Sequence, residues 1–354
     1  MRLPTDHNRL VELVAEVNEN TVVLLFGGGA MELPWAEKVK AILYMGLAGQ
    51  GVGEAAADLL SGRACPSGKL TESWPYRYSD VISSDFFGTK DAEYRESVFV
   101  GYRYYSSANV PVRYPFGFGL SYTNFEYSDL KVSDTYVTVT VKNIGNCHGA
   151  EVIQLYVTPP SSGTFRPAKE LKGFERIELE AGQSATVTFT LDNRSFSIWH
   201  DDWVVEGGIY GIEIGSSSED IRLKCNLEIS GDTIKEPMSP SSLYYSLSSI
   251  PSKTDFETIL GRSVLEAHKI KKGSFDRNST IFEMKESSLI MKLIYGIINL
   301  FFFLRYGKKK DTDPTCRMML ISVTDNPIRS LEICSGGALP EFLSNFIVWL
   351  ANLI

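Results

Sequence analysis

The chain has 354 residues, 44% hydrophobic and 22% charged, a globular balance that excludes collagen-like and wholly disordered readings. Thirty-five Lys and Arg stand against 43 Asp and Glu, a formal charge of -8, so no nucleic-acid partner is expected. Cys65, Cys147, Cys225, Cys316 and Cys334 form no CxxC pair, and His7, His148, His200 and His268 show no HxH or HExxH spacing. No disulfide framework, metal or cofactor is therefore expected.

The amino terminus has no basic stretch leading into an apolar core, and the thiols suit a reducing compartment, so a cytoplasmic location is expected. Leu10, Leu13, Val14 and Val17 recur at helical spacing. Thr21 to Phe26 is a continuous apolar run, predicting a buried parallel strand. It enters Gly27-Gly28-Gly29. Ala41 to Tyr44 is the next predicted strand, and Glu54 to Leu60 a short helix. This alternation is that of an incomplete α/β domain. Residues 76–120 are rich in Tyr, Phe, Ser, Asp and Gly, with a short strand predicted at Val98 to Tyr105.

From Tyr122 to Ile229 the pattern changes. Val137, Val139 and Val141 alternate with Thr138, Thr140 and Lys142, and Val152 to Val157, Ala185 to Leu191 and Gly208 to Ile214 are further strands. Short strands separated by turn clusters predict an antiparallel β-sandwich. Residues 231–254 read as a Ser/Pro linker and 255–354 as a helical tail. Leu289 to Leu304 is its most apolar run. With Lys292 inside it and fewer than the ~20 residues a span needs, a buried or interfacial helix is expected and no membrane partner.

Few residues point to chemistry unaided. Gly27 to Gly29 follow a strand but match neither GxGxxG nor GxxxxGK[ST], which leaves a turn needing positive φ. Asp85 and Glu96 lie among aromatics, where sugar rings could stack, against the plainer reading of solvated loop charges. Nothing resembles a GxSxG elbow.

Three blocks resemble the carboxy-terminal half of glycoside hydrolase family 3, the β-glucosidase family. The first runs from Ala41 to Pro75. Gly53 fills one glycine of the family's Gly-Gln-x-Gly-Gly run, Val52 replaces the other, and Cys65 stands where Asn is usual before Pro66-Ser67-Gly68-Lys69-Leu70. The second holds Val100-Gly101-Tyr102-Arg103-Tyr104-Tyr105 and the stretch from Tyr114 to Thr123. The third, with Val141-Lys142-Asn143, Gln154-Leu155-Tyr156 and Leu171-Lys172-Gly173-Phe174, resembles the family's fibronectin type III-like domain. The tail, with Asp255-Phe256 and Leu260-Gly261-Arg262, is similar to an extension of some bacterial members.

The resemblance implies an α/β plus all-β chain. A partial family 3 C-terminal α/β sandwich would cover 1–121, an immunoglobulin/fibronectin III-like β-sandwich 122–230, the linker 231–254 and the helical tail 255–354. It also implies a retaining exo-glycosidase whose Asp nucleophile sits in a (β/α)8 barrel and whose Glu acid/base sits in a Glu-Gly-x-Asp-Arg motif. Neither the barrel nor that motif is in the sequence. Met1-Arg2-Leu3-Pro4 resembles the stretch just after the acid/base residue, so no catalytic residue is expected here and the chain alone is expected to be inactive. Ser84-Asp85-Phe86 and Phe275-Asp276-Arg277 echo the two motifs out of context. Gly27, Gly28, Gly29 and Glu96 are the residues expected nearest substrate. The expected partners are β-linked glycosides through the full-length enzyme and a barrel domain on another chain. The alternatives are a non-catalytic carbohydrate- or protein-binding module, with Trp199 and Trp203 as its aromatics, or one half of a split enzyme. The first ninety residues are expected to be less stable than the sandwich.

Overall fold

The computed structural model describes residues 1–87, 92–161, 164–234, 242–264, 271–336 and 340–353. Residues 235–241 of the linker, and His268, lie outside the described residues. The chain divides into two units, Met1–Val264 and Leu265–Ile354.

Helix α1, Thr5–Val17, leads into strand β1, Val22–Phe26, which pairs in parallel with β2, Ala41–Gly46. α2 follows over Val52–Leu60. The helical spacing of Leu10, Leu13, Val14 and Val17 is real, yet all four are exposed, Val17 to 86%. The helix turns another side inward. Asn8 accepts from the Trp35 indole at 2.8 Å, and Val11 packs on the core of Leu25, Leu33, Trp35 and Trp74. β1 is likewise less buried than its run of aliphatic residues predicts, because its sheet has only two strands among the described residues. Leu25 is its one fully buried residue.

Strand β3, Trp74–Pro75, pairs with β4, Val112–Tyr114. Between them the strand expected at Val98 to Tyr105 is absent: Tyr102–Ala108 is helix α3. Gly101, at φ 59°, turns the chain into it, and Asn109, left-handed at φ 52°, ends it. The β-favouring Tyr and Val of this stretch yield to tertiary packing. The helix puts Tyr104 and Tyr105 into a cluster with Ile82, Phe99 and Val112. Tyr244 and Leu247 complete that cluster from the segment read as linker.

The β-sandwich has two antiparallel sheets. Strands β5 (Phe125–Val132), β6 (Tyr136–Asn143) and β9 (Ser184–Thr190) form one, in the order β5-β6-β9. Strands β7 (Gly149–Thr158), β8 (Glu170–Leu179), β12 (Gly208–Gly215) and β13 (Ile221–Ile229) form the other, in the order β13-β12-β7-β8. Alternate residues face inward. Val137, Val139, Val141, Ile153, Leu155, Tyr210, Ile212 and Ile214 are wholly buried between the sheets. Between β9 and β12, the single turn α4 (Asn193–Phe196) precedes a hairpin of β10 (Ser197–His200) and β11 (Asp202–Val205).

Helices α5, Leu243–Ser246, and α6, Lys253–Leu260, close the first unit. The second unit holds α7 (Ile281–Met284), α8 (Leu289–Tyr306), α9 (Pro314–Thr324), α10 (Ile328–Cys334) and α11 (Glu341–Leu353). They pack around Phe275, Ile281, Met284, Met291, Ile328, Val348 and Ala351. Arg277 of the motif echo is structural: it binds both oxygens of Glu332 at 2.8 and 2.9 Å and Glu341 at 2.7 Å.

Candidate functional site

In open parallel sheets ligands approach beyond the carboxyl ends of the strands. β1 and β2 end side by side there, with the Gly27 amide donating to Gly46 O at 3.2 Å and the Tyr44 hydroxyl to Gly27 O at 2.7 Å. None of Gly27, Gly28 and Gly29 has positive φ, so the expected left-handed turn is not the reason for them. Crowding is. A Cβ on Gly27 would lie 1.8 Å from Met31 Cε, and one on Gly28 3.2 Å from Leu47 Cδ1. Glu72 Oε1 lies 3.5 Å from where a Cβ of Gly29 would sit. Nothing in the sequence singles out Glu72. Only the chain's return through Leu70 to Trp74 brings it beside the loop.

Glu96 occupies a separate turn. Its carbonyl accepts from the Phe99 amide at 2.9 Å, and the next residue, Ser97, has φ 51°. Its Oε2 is buried without a hydrogen-bond partner among the described residues. No hydrogen bond or ion pair among the described residues links Glu96 to the glycine loop. Asp85 is exposed in a turn, 3.5 Å from the Ser84 hydroxyl, and stands on no strand end.

An open groove of about 660 Å³ lies where residues 115–125 meet the sandwich, lined among others by Phe118, Leu120, Glu219, Asp220 and Arg222. Burial opposes ionisation of Asp220, but hydrogen bonds from Arg222 and Ser216 outweigh it and hold the carboxyl below its ordinary range. Burial pushes Glu219 above its ordinary range, with Lys169 opposing. Asp220 is engaged by Arg222 at 2.7 Å. No cluster of three or more metal-ligating side chains occurs among the described residues.

The hairpin tryptophans are exposed, Trp199 to 62%. Their rings meet at 70°, 5.5 Å apart, and the Arg194 guanidinium lies 3.3 Å over Trp203. A sugar platform needs coplanar, open faces. This pair is not coplanar, and Arg194 covers one face of Trp203.

A parallel strand pair with a glycine loop, tied to a fibronectin-like sandwich, is a layout that comparison with known proteins places among glycoside hydrolases. Residues 1–122 match the glycosyl hydrolase family 3 C-terminal domain and residues 151–218 the fibronectin type III-like domain. The chain is 47% identical over 248 residues to the thermostable beta-glucosidase B of Acetivibrio thermocellus, covering 66% of this chain and 33% of that protein. It is 40% identical over 253 residues to the exo-alpha-(1->6)-L-arabinopyranosidase of Bifidobacterium breve, covering 68% and 33%. The crystal structure of the family 3 beta-glucosidase of Bifidobacterium adolescentis aligns with a TM-score of 0.63 at 38% identity, over 73% of this chain and 39% of that one. The chain carries the carboxy-terminal region of a family 3 glycoside hydrolase. It spans about a third of the length of the curated relatives it matches.

Proposed function

We infer that this chain serves as the carboxy-terminal portion of a β-glucosidase-like exo-glycosidase that cleaves O-glycosyl bonds with retention. In this reading Gly27 to Gly29 face the sugar site from the carboxyl ends of β1 and β2, and the sandwich is the support behind them. Double displacement needs two carboxyl groups about 5–5.5 Å apart across the scissile bond. One forms the glycosyl-enzyme ester. The other protonates the leaving oxygen and then activates water. The observation that supports the reading is the match of residues 1–122 to the family 3 C-terminal domain, with Glu72 the carboxylate beside the glycine loop. One carboxylate cannot perform both roles, and the 354 residues by themselves are expected not to turn over glycosides.

A second observation favours a partner over a stand-alone module. The exposed side of α1, together with Phe26 and Leu47 at the strand ends, is apolar and suits cover by further sheet or barrel. Hydrolysis of a chromogenic aryl β-glucoside, by the chain alone and with a separately expressed barrel fragment carrying the nucleophile and the acid/base Glu, tests both points. No turnover alone and turnover on mixing is the expected result. Turnover by the chain alone overturns the assignment, and no turnover in either case favours the binding-module reading.

A further inference from the structure

The unit Leu265–Ile354 presents apolar side chains where an isolated helical bundle presents polar ones. On α8, Met291 is buried in the unit's own core and Phe302 is buried as well, while Leu289, Leu293, Ile297, Leu300 and Leu304 are each more than half exposed. Their spacing of three or four residues sets them in one stripe on the opposite side. At 18 residues the helix is about 27 Å long. α11 repeats the pattern. Phe342, Phe346, Trp349 and Leu353 are exposed, opposite buried Ser344, Val348 and Ala351. The helix expected to be buried or interfacial is thus not buried.

Charge indicates what covers the stripe. From residue 287 to 310 the sequence holds Lys292, Arg305, Lys308, Lys309 and Lys310 and no Asp or Glu. Lys310 is engaged by Asn299 and Asp311, whereas exposed Lys308 and Lys309 make no ion pair among the described residues. Residues 265–354 carry 12 Lys and Arg against 9 Asp and Glu, while residues 1–264 carry 23 against 34. A second copy docked through the stripe would meet cations with cations. Parallel pairing sets each basic residue against itself, and antiparallel pairing sets Lys292 near Arg305. An anionic surface has no such conflict.

We propose that α8 lies in the plane of an anionic lipid bilayer, with its stripe among the acyl chains and Lys308 and Lys309 at the headgroup phosphates. By length and composition α8 could cross a bilayer. Its Met291, Ile294 and Ile298 side, however, is held by the protein's own core, and a helix held on one face and apolar on the other lies at the interface.

Flotation of the full chain with vesicles tests this, using phosphatidylcholine alone and phosphatidylcholine mixed with phosphatidylglycerol. The chain floats with the anionic vesicles only. Lys308→Gln combined with Lys309→Gln weakens that binding by about 30-fold. Leu293→Gln, Ile297→Gln and Leu300→Gln together abolish it, and these exposed positions leave the core intact, which a circular-dichroism melt verifies. Absence of flotation overturns the proposal, and a dimer in sedimentation that the triple substitution dissociates would then assign the stripe to a second copy. Protein that stays on the vesicles through an alkaline carbonate wash overturns the in-plane geometry in favour of a span.

Discussion

Strands β1 and β12 are both rich in aliphatic residues, yet they end in different surroundings. β12 lies between β13 and β7 and under an opposing sheet, and its Tyr210, Ile212 and Ile214 are wholly buried. β1 has one neighbour, and Val22 and Phe26 at its two ends stay exposed. Apolar sequence therefore does not by itself make a core. A strand needs partners on its edges and a layer on its face. Where both exist, as in the sandwich, packing fixes each side chain. Where they do not, the same residues form a surface that awaits cover.

The largest effect that would test this contrast lies at the Arg166–Glu206 ion pair of the sandwich unit, whose side chains are 7% and 3% exposed and 3.1 Å apart. Thr164 also donates to Glu206 at 2.6 Å. Glu206→Ala strands a buried guanidinium and is expected to cost about 3–5 kcal/mol in urea unfolding. A loss under 1 kcal/mol would show that this region is not the rigid one.

A smaller effect is expected in the helical unit. The hydrogen bond from Ser344 holds the Glu332 carboxyl below its ordinary 4.5, burial opposes that, and Arg277 lowers it further. A depressed carboxyl contributes stability above its unfolded pKa and loses it as pH falls through the folded value. The helical unit should therefore melt at lower temperature as the pH drops below about 4.5, and Glu332→Gln should flatten that dependence. The smallest effect belongs to α1. Leu13→Ser, on its exposed side, should shift stability by no more than about 0.5 kcal/mol in the chain alone. A larger loss would mean that the α1 surface is already covered in solution.

The sandwich was legible because period-two alternation, as in Val137 to Lys142, maps directly onto inward and outward faces. The parallel pair was legible from its short aliphatic runs and the glycines that follow. α3 was not, since Tyr and Val favour strands and only packing against Ile82 and Tyr244 makes a helix there. The inward face of α1 was hidden for a related reason: Asn8, a polar residue, is what meets Trp35. The candidate site was legible only as a glycine loop. Its neighbours Met31 and Leu47, and the carboxylate beside it, Glu72, come from chain segments whose approach no local pattern encodes.

The junction between the first segment and the sandwich has a mechanical consequence. Gln154, on β7, donates to both Gly117 O and Ser216 O, and a Cβ on Gly117 would lie 2.1 Å from its Oε1. Nearby, Lys69 reaches Glu151 of the same strand at 2.8 Å with both side chains nearly buried. Shear between the two parts must break these contacts at once, with no slack to take up first. Under load the two parts are expected to move as one stiff arm, not as beads on a string, with torque on the sandwich carried to the strap running from Tyr114 to Thr123.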